Sequence, residues 1–307
     1  MPTTLAHIGI QGPLTRTLLR GSDVKWILAA CVLPDLPWIA RRVVLELPFD
    51  LPLLHFQAYF FVQASLFMGL ILAGALAALS RWPRRTFAIL ALGVVMHLLL
   101  DSLEDKFGNG VHLLAPFDWH LFSLRLVRPD GAVTLIGAAL GFSYWVYAWR
   151  RIQPQPPDAL PGLRRWLTAG GLAGLWLVLP ALMIPGPFST DTHSIRTFLE
   201  KDKRVGRPVT FDRRPVEHRA DGTYIRSPVG EPIRVIGADL AGIEQASIRG
   251  RFTATDTVEA RQVRVHRPGV RDIPVIVGLA CVLLWWLREA AAMGLWPHLV
   301  RQRAATD

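Results

Sequence analysis

Long apolar runs, separated by short arginine-rich linkers, dominate this sequence of 307 residues. A helix needs about 20 apolar residues to cross the hydrocarbon core of a bilayer. We expect five such spans, preceded by one apolar segment that prolines interrupt. They cover approximately 24–40, 56–79, 86–103, 131–149, 166–184 and 273–287. Because hydrophobic residues also make up 51% of the chain, the sequence predicts a mainly α, multi-span helical membrane domain.

Residues 188–271 have a different pattern, with lower hydropathy and short runs of alternating residues. Strands are predicted near 208–212, 223–226 and 232–236, followed by a hairpin over 247–266 with a bulge near Gln262. Five short strands favour a small all-β barrel. The string Ala-Ser-Ile-Arg-Gly-Arg-Phe252 resembles the fourth strand of an oligonucleotide/oligosaccharide-binding (OB) fold. We therefore expect three parts: a helical membrane domain (1–187), an OB-like insert (188–271), and a last span with a tail (272–307).

The net charge of +10 is carried mostly by arginine, in clusters between the apolar runs. Short loops that remain in the cytoplasm retain Lys and Arg. We therefore expect the linkers at 81–85 and 150–165, and the C-terminal tail, to share the inner side. The insert then lies on the outer face. Membrane topology thus accounts for the basic charge, and no nucleic-acid partner is expected.

The pair His97 and Asp101 stands inside the predicted helix 86–103, where ionisable groups are unexpected. Residues four apart lie on the same helix face, one turn apart. An imidazole and a carboxylate at that spacing can bind one divalent cation together, or they can simply hydrogen-bond each other inside a bundle. Since ionisable groups in spanning segments usually serve function, we favour a metal site.

Further candidate ligands fall at the outer ends of spans or in the outer loops under the same topology. The turn signal Gly108-Asn109-Gly110 brings the next two histidines back over the helix end. The early histidine joins them only if 1–40 folds back, and lies inside if 24–40 spans fully; the sequence leaves both open. These additional predicted metal ligands are Asp35, His55, His112, His120 and His7.

The N-terminal half resembles the membrane-bound metal-dependent hydrolase family, also described as LexA-binding, inner-membrane-associated hydrolases. That family combines an early Thr/His segment, a Pro-Asp motif, a His opening the next span, and His-x-x-x-Asp followed by Gly, Leu-Leu and Pro-Phe. The matching residues are Met1-Pro-Thr-Thr-Leu-Ala-His7, Pro34-Asp35, His55, His97-Leu-Leu-Leu-Asp101, Gly110, Leu113-Leu114 and Pro116-Phe117. The family's Thr and Ser around its second histidine are Leu54 and Phe56 here.

The resemblance implies metal-assisted hydrolysis at a bacterial inner membrane. Mixed nitrogen and oxygen ligands suit zinc, with manganese and iron as alternatives. Glu104 or Asp105 is the expected general base. At headgroup depth the site meets membrane lipids, so we expect phosphoester or amide bonds of lipids or of lipid-linked envelope precursors as substrates.

Two other functions remain open from the sequence. One is a non-catalytic membrane protein whose His/Asp cluster is structural and whose outer β domain binds a partner. The other is binding of DNA or a repressor, which the family's description raises, although the sequence contains no helix-turn-helix pattern on the inner side. An enzyme requires an open metal position beside a cleft, whereas a structural site is saturated by protein ligands.

Overall fold

The computed structural model of this chain describes residues 3–46, 52–154, 161–266, 269 and 271–292. Helices and a late five-stranded sheet account for most of them. In chain order the helices are α1 (Thr4–Leu18), α2 (Val24–Ala30), α3 (Leu36–Leu45), α4 (Leu53–Gln63), α5 (Leu66–Leu79), α6 (Pro83–Ser102), α7 (Ala132–Arg151), α8 (Leu163–Met183), α9 (Pro185–Ser189), α10 (Ile195–Leu199) and α11 (Asp272–Ala292). The strands are β1 (Pro208–Arg219), β2 (Gly222–Arg226), β3 (Pro232–Ile236), β4 (Gln245–Ala254) and β5 (Thr257–Val265).

Four helical segments in the described part of the chain are long and apolar enough to cross a membrane: α6, α7, α8 together with α9, and α11. The α8–α9 segment is the least buried of these, with 11% of its apolar window inside the protein. Its exposed side chains include Leu175, Leu177, Val178 and Leu182. An apolar face of this size is expected to contact lipid, so the prediction of a multi-span helical protein agrees with the structure.

The predicted span 56–79 is instead a bent pair, in which α4 and α5 meet at 65°. Ser65 begins α5 as its N-cap, where its side-chain oxygen accepts a hydrogen bond from the Met68 backbone N–H. The Leu66 backbone N–H donates to the His112 carbonyl rather than to its own helix. The extended backbone of the capping serine thus separates α4 from α5, with no proline or glycine at the break.

Helix α1 packs tightly along α7 through glycines. A Cβ added at Gly141 would lie 1.7 Å from the Leu5 carbonyl oxygen, and one added at Gly9 would lie 2.6 Å from the Gly137 carbonyl oxygen. Such close approach of two backbones requires residues without side chains. The contacts place the beginning of α1 beside the first half of α7.

The chain then folds back toward its starting side. At the far end of α1, the Arg85 guanidinium donates to the Arg20 carbonyl, so this end lies beside the start of α6. Helix α2 returns along α6, with Ala30 against Gly93, and a 3-10 turn (Leu33–Asp35) follows. Asp35 therefore reaches the end of α6 where α1 began. The structure thus agrees with the folded-back alternative for residues 1–40.

Each strand of the insert pairs with two others, in the closed order β1-β2-β3-β5-β4. All pairs are antiparallel except β3 with β5, which is parallel. The predicted hairpin is present as β4 and β5. Its predicted bulge is also present, since Arg249 pairs with Gln262 while Gly250 pairs with Ala260, which leaves Arg261 as the extra residue.

The β insert packs directly on the helical part. Leu54 and Phe61 of α4 share one buried apolar cluster with Phe211 and Phe252 of the sheet. Two polar contacts join the same surfaces. Asp105, after α6, forms an ion pair with Arg264 of β5, and Asp130, before α7, accepts a hydrogen bond from His266 at 3.1 Å. The sheet therefore lies over the end of α6 that carries Asp101.

Candidate metal centre

Helix α6 supplies two members of the site, as the spacing predicted. His97 is fully buried, and Asp101 is largely buried one turn later. The distance from His97 Nε2 to Asp101 Oδ2 is 3.9 Å. Their common face points toward α1 and the 3-10 turn because α1 and α2 both pack against α6.

Helix α1 contributes a third member, His7, from its first turns. Its ring stacks on His97 with centroids 3.7 Å apart and planes within 5°. His7 Nε2 lies 3.5 Å from Asp101 Oδ1. One ligand atom from each of His7, His97 and Asp101 lies within 4.8 Å of the other two, so the three residues can hold a metal ion. We call these three residues the metal group.

The distances between these atoms are typical of ligands around one cation. A good hydrogen bond between nitrogen and oxygen is about 2.7–3.2 Å long, whereas two ligands each about 2.1 Å from a tetrahedral metal are about 3.4 Å apart. In the described chain, His7 Nε2, His97 Nε2 and Asp101 Oδ1 are buried without a hydrogen-bond partner. Since buried polar atoms normally have partners, the open valences of these three atoms are consistent with a group that could hold a metal ion.

Asp35 adjoins the cluster from the 3-10 turn between α2 and α3. Its Oδ1 lies 3.3 Å from His97 Nε2, and its side chain is 7% exposed. Pro34 lies in the 3-10 turn and Pro37 in the first turn of α3, so Asp35 stands at the junction between the two. The predicted Pro-Asp motif therefore places a carboxylate at the edge of the three-residue group.

Gln11 is a supporting residue that the sequence analysis missed. Its side-chain nitrogen Nε2 lies 3.1 Å from His7 Nδ1, and its side-chain oxygen Oε1 accepts a hydrogen bond from the Cys31 thiol at 3.5 Å. A histidine that binds metal through Nε2 donates its Nδ1 proton to an acceptor. The amide oxygen of Gln11 supplies that acceptor when the side-chain amide is flipped, because oxygen and nitrogen occupy equivalent positions. The sequence did indicate this contact, since His7 and Gln11 are four residues apart on one helix.

Two predicted ligands lie away from this group. His55 is exposed at the start of α4, with its ring 5.1 Å from that of Phe188. His120 is in the loop after α6 with 81% of its side chain exposed, and its Nδ1 lies 2.6 Å from Asp118 Oδ1. The structure does not bring either histidine to His7, His97 and Asp101.

The two predicted general bases have partners elsewhere. Glu104 is buried with its Oε2 2.5 Å from Lys106 Nζ, and Asp105 pairs with Arg264 of the insert. His112 is buried against Trp119, with ring centroids 5.6 Å apart. Burial lowers the pKa of His112 to about 4, so this imidazole is neutral at ordinary pH.

A cavity of about 470 Å³ lies between the metal group and the β insert. Asp35, Asp101 and His112 line it on the helical side, and Thr210–Pro215 of β1 line it on the other. The cavity wall is rich in arginine, which sequence reasoning did not foresee because the residues come from separate segments. Its basic side chains are Arg41, Arg42, Lys106, Arg213, Arg214 and Arg271.

Ser247, His266 and Asp130 form a hydrogen-bonded chain that resembles a nucleophilic triad. Ser247 Oγ is 2.8 Å from His266 Nε2, and His266 Nδ1 is 3.1 Å from Asp130. However, Ser247 is 1% exposed, and its hydroxyl also lies 2.9 Å from Asp212 and accepts from the Arg213 N–H. A buried hydroxyl whose hydrogen bonds are all made within the protein cannot reach a substrate. We therefore assign Ser247, His266 and Asp130 to the packing of the insert on the helical part.

Comparison of this chain with protein-family models, with curated proteins and with solved structures finds no match in any of the three.

Proposed function

We propose that this chain is a membrane-embedded, metal-dependent hydrolase, as the resemblance of its N-terminal half implies. The observation that carries the proposal is the convergence of His7, His97 and Asp101 from two helices at distances typical of ligands. The adjacent cavity supports an enzyme over a purely structural site, because substrate can approach beside Asp101 and Asp35.

Two imidazoles and a carboxylate form a donor set that suits zinc, so His7, His97 and Asp101 would hold this ion. When bound, the ion would lower the pKa of a water molecule and polarise the bond to be cleaved. Asp35 is the carboxylate best placed to accept the water's proton, since it lines the cavity and adjoins His97. It takes the role that the sequence analysis gave to Glu104 or Asp105, whose carboxylates lie against Lys106 and Arg264.

We place the site at the outer face of the inner membrane. The arginine-rich linkers around Arg84 and Arg150 lie at the helix ends opposite Asp101, and such linkers favour the cytoplasm. We further propose that the β insert is an OB-like barrel. Its closed five-strand order and its parallel β3–β5 pair support that assignment.

Metal analysis of the purified full-length protein tests the proposal. We expect about one zinc per chain in the wild type and at least a tenfold lower ratio in His97→Ala and Asp101→Ala. The double variant should lose little more than either single variant, because ligands of one ion act together. Hydrolysis of phosphoester and lipid substrates should fall in parallel.

His120→Ala is the matched control, since this histidine is exposed and remote from the group; its metal ratio should equal that of the wild type. Equal ratios in wild type and His97→Ala would refute the metal site. A retained metal without any hydrolysis, and without water at the metal in its absorption spectrum after cobalt substitution, would favour the structural role instead.

A further inference from the structure

The cavity beside the metal group has the size of a small-ligand site, within the usual range of about 300–1,000 Å³. Two parts of the fold form it: α3 and the loop after α6 on the helical side, and β1 on the insert side. Asp35 and Asp101 lie in its wall, so a ligand in the cavity meets the metal group. The charges of the remaining wall residues therefore indicate what that ligand is.

Positive charge exceeds negative charge in this wall. Six basic side chains line the cavity, against four carboxylates at positions 35, 101, 212 and 272. Of these carboxylates, Asp101 belongs to the metal group and Asp35 adjoins it. Lys106 is paired with Glu104. Asp130, which is outside the wall, pairs with Arg213. Five arginines then face three aspartates, which still leaves an excess of guanidinium groups.

Two of the described guanidinium groups in the wall carry a buried nitrogen that forms no hydrogen bond. In the described chain, Nε of Arg41 is buried without a hydrogen-bond partner, and Nη2 of Arg213 forms no hydrogen bond, although it lies 3.5 Å from Asp130 Oδ2 in a salt bridge. Burial and the nearby charges of Arg214 and Arg42 lower the pKa of Arg41, and burial and the charge of Arg271 lower that of Arg213. Gathering buried like charges is unfavourable unless an anion offsets it.

The backbone of β1 is distorted where it enters the cavity. A bulge interrupts its pairing with β4 between Phe211 and Arg214. Arg213 there has a φ of 50°, which is uncommon for a residue with a side chain. Its N–H donates to Ser247 Oγ at 2.9 Å, which holds the bulge. Bulges and strained residues of this kind re-aim side chains next to functional sites.

We infer that this cavity binds the phosphate group of a phosphoester substrate, through Arg213 and Arg214 of the β insert and Arg41 of α3. The inference rests on the proposed hydrolase function and specifies its substrate class. The insert is then the recognition half of a composite site, and the helical part holds the residues that would bind the ion. A water molecule activated there would attack the phosphorus, the P–O bond to the alcohol would break, and the alcohol would leave with a proton from the water.

Phosphate fits this arrangement better than the alternatives. A guanidinium forms a planar fork that matches two phosphate oxygens, and several forks can surround one phosphate. An amide substrate carries no charge and would leave the arginines uncompensated. The cavity also adjoins the end of the apolar helix α6, so the phosphate can belong to a lipid headgroup or to a water-soluble ester.

Binding of inorganic phosphate to the full-length protein in detergent, measured by calorimetry, tests this site directly. Arg213→Gln and Arg214→Gln should each weaken phosphate binding by about 10- to 100-fold, the usual effect of losing a charged hydrogen bond. Arg213→Lys should retain part of the affinity, since it keeps the charge. Arg219→Gln is the matched control: it lies on the same strand, is exposed, and pairs with Glu217, so its affinity should not change.

Two further measurements identify the source of the phosphate. Nanodiscs of phosphatidylcholine with or without phosphatidic acid distinguish a lipid headgroup from a soluble ester, which is represented by p-nitrophenyl phosphate. If phosphatidic acid in the nanodiscs competes with inorganic phosphate for the protein, the phosphate belongs to a lipid headgroup. If the protein cleaves only the soluble ester, the phosphate belongs to a water-soluble substrate. Either result upholds the phosphoester assignment.

Metal content, measured on the same samples, separates the two proposals. Wild-type metal in Arg213→Gln and Arg214→Gln with lost phosphate affinity supports both. Phosphate affinity that is equal in wild type, Arg213→Gln and Arg214→Gln overturns the inference and leaves the metal site intact. Arginine-dependent phosphate binding in a protein without metal instead overturns the hydrolase, and with it the role of the phosphate as substrate.

Discussion

At the scale of single residues, the site depends on one spacing that the sequence displays and on contacts that it does not. His97 and Asp101 share a helix face, and their pairing followed from the i, i+4 rule. Their partner His7 was a candidate without a fixed place. Its stacking on His97 arises because α1 packs along α7 and begins beside the end of α6, and no local pattern encodes that contact.

The contact between Gln11 and His7 gives the first prediction. Gln11→Ala should weaken metal binding by about 10- to 100-fold, because His7 Nδ1 loses the group that fixes its ring orientation and tautomer. Gln11→Glu should restore most of the affinity, since a carboxylate accepts from the same nitrogen. A competition titration with a zinc chelator measures both variants.

The control is Gln63→Ala, because Gln63 is also buried but bonds to Tyr59 and the Trp176 carbonyl, away from the metal group. It should lower stability without changing zinc affinity. If Gln11→Ala and Gln63→Ala hold zinc equally well, Gln11 has no role in orienting His7.

At the scale of elements, periodicity and turn signals located most helices and all five strands. The break between α4 and α5 was missed because residues 56–79 contain no proline, and because a capping serine within an apolar run has little local signal. The cavity could not be predicted either. Its arginines lie on α3, on β1 and next to α11, and they meet only after the insert packs on α4.

The contact of α1 with α7 gives the second prediction. Gly141→Ala should destabilise the protein by about 1–3 kcal/mol, since the new methyl group overlaps the Leu5 carbonyl oxygen. Because His7 lies in the same part of α1, metal content should fall although the substitution touches no ligand. Thermal unfolding in detergent, together with metal analysis, measures both effects.

Gly174→Ala in α8 is the comparison for this variant. No atom lies within 4 Å of a Cβ added there, so its unfolding temperature and metal content should match those of the wild type. A Gly141→Ala protein that melts like wild type would show that α1 and α7 are not in close backbone contact.

At the scale of the whole molecule, the helical part and the insert pack on each other through a buried apolar cluster and through polar contacts. Two histidines at this junction line the cavity and are held neutral. Burial lowers the pKa of His112 to about 4 and that of His193 to about 3. Their neutrality makes the junction sensitive to acid.

The third prediction concerns this sensitivity. Both groups have folded-state pKa values below the usual 6.5, so the stability they contribute is complete above about pH 6.5. Below that pH the unfolded chain binds protons that the folded chain cannot, and stability should fall by about 2 kcal/mol per histidine at pH 5. Chemical denaturation between pH 7 and pH 5 measures the loss.

The comparison uses a His97→Ala background, so that release of metal in acid does not contribute. His193→Phe should remove about half of the pH dependence, since His193 already stacks on Phe61 with centroids 4.3 Å apart. A pH profile that is unchanged by His193→Phe would show that this residue titrates normally.

The last prediction concerns the orientation of the molecule in its membrane. The β insert and the metal group share one cavity, so both must lie on the same side. The arginine-rich linkers before α6 and after α7 lie at the opposite helix ends and should face the cytoplasm.

Reporter fusions measure this orientation. Gly230, in the turn between β2 and β3, is an open site for an inserted reporter, because no atom lies within 4 Å of a Cβ added there. Alkaline phosphatase inserted there should be active in bacterial cells, whereas the same enzyme fused after Arg151 should be inactive. A cytoplasmic fluorescent reporter should give the reverse pattern. If phosphatase is active after Arg151 and inactive at Gly230, the orientation is inverted, and the proposed phosphoester substrate would reach the site from the cytoplasm.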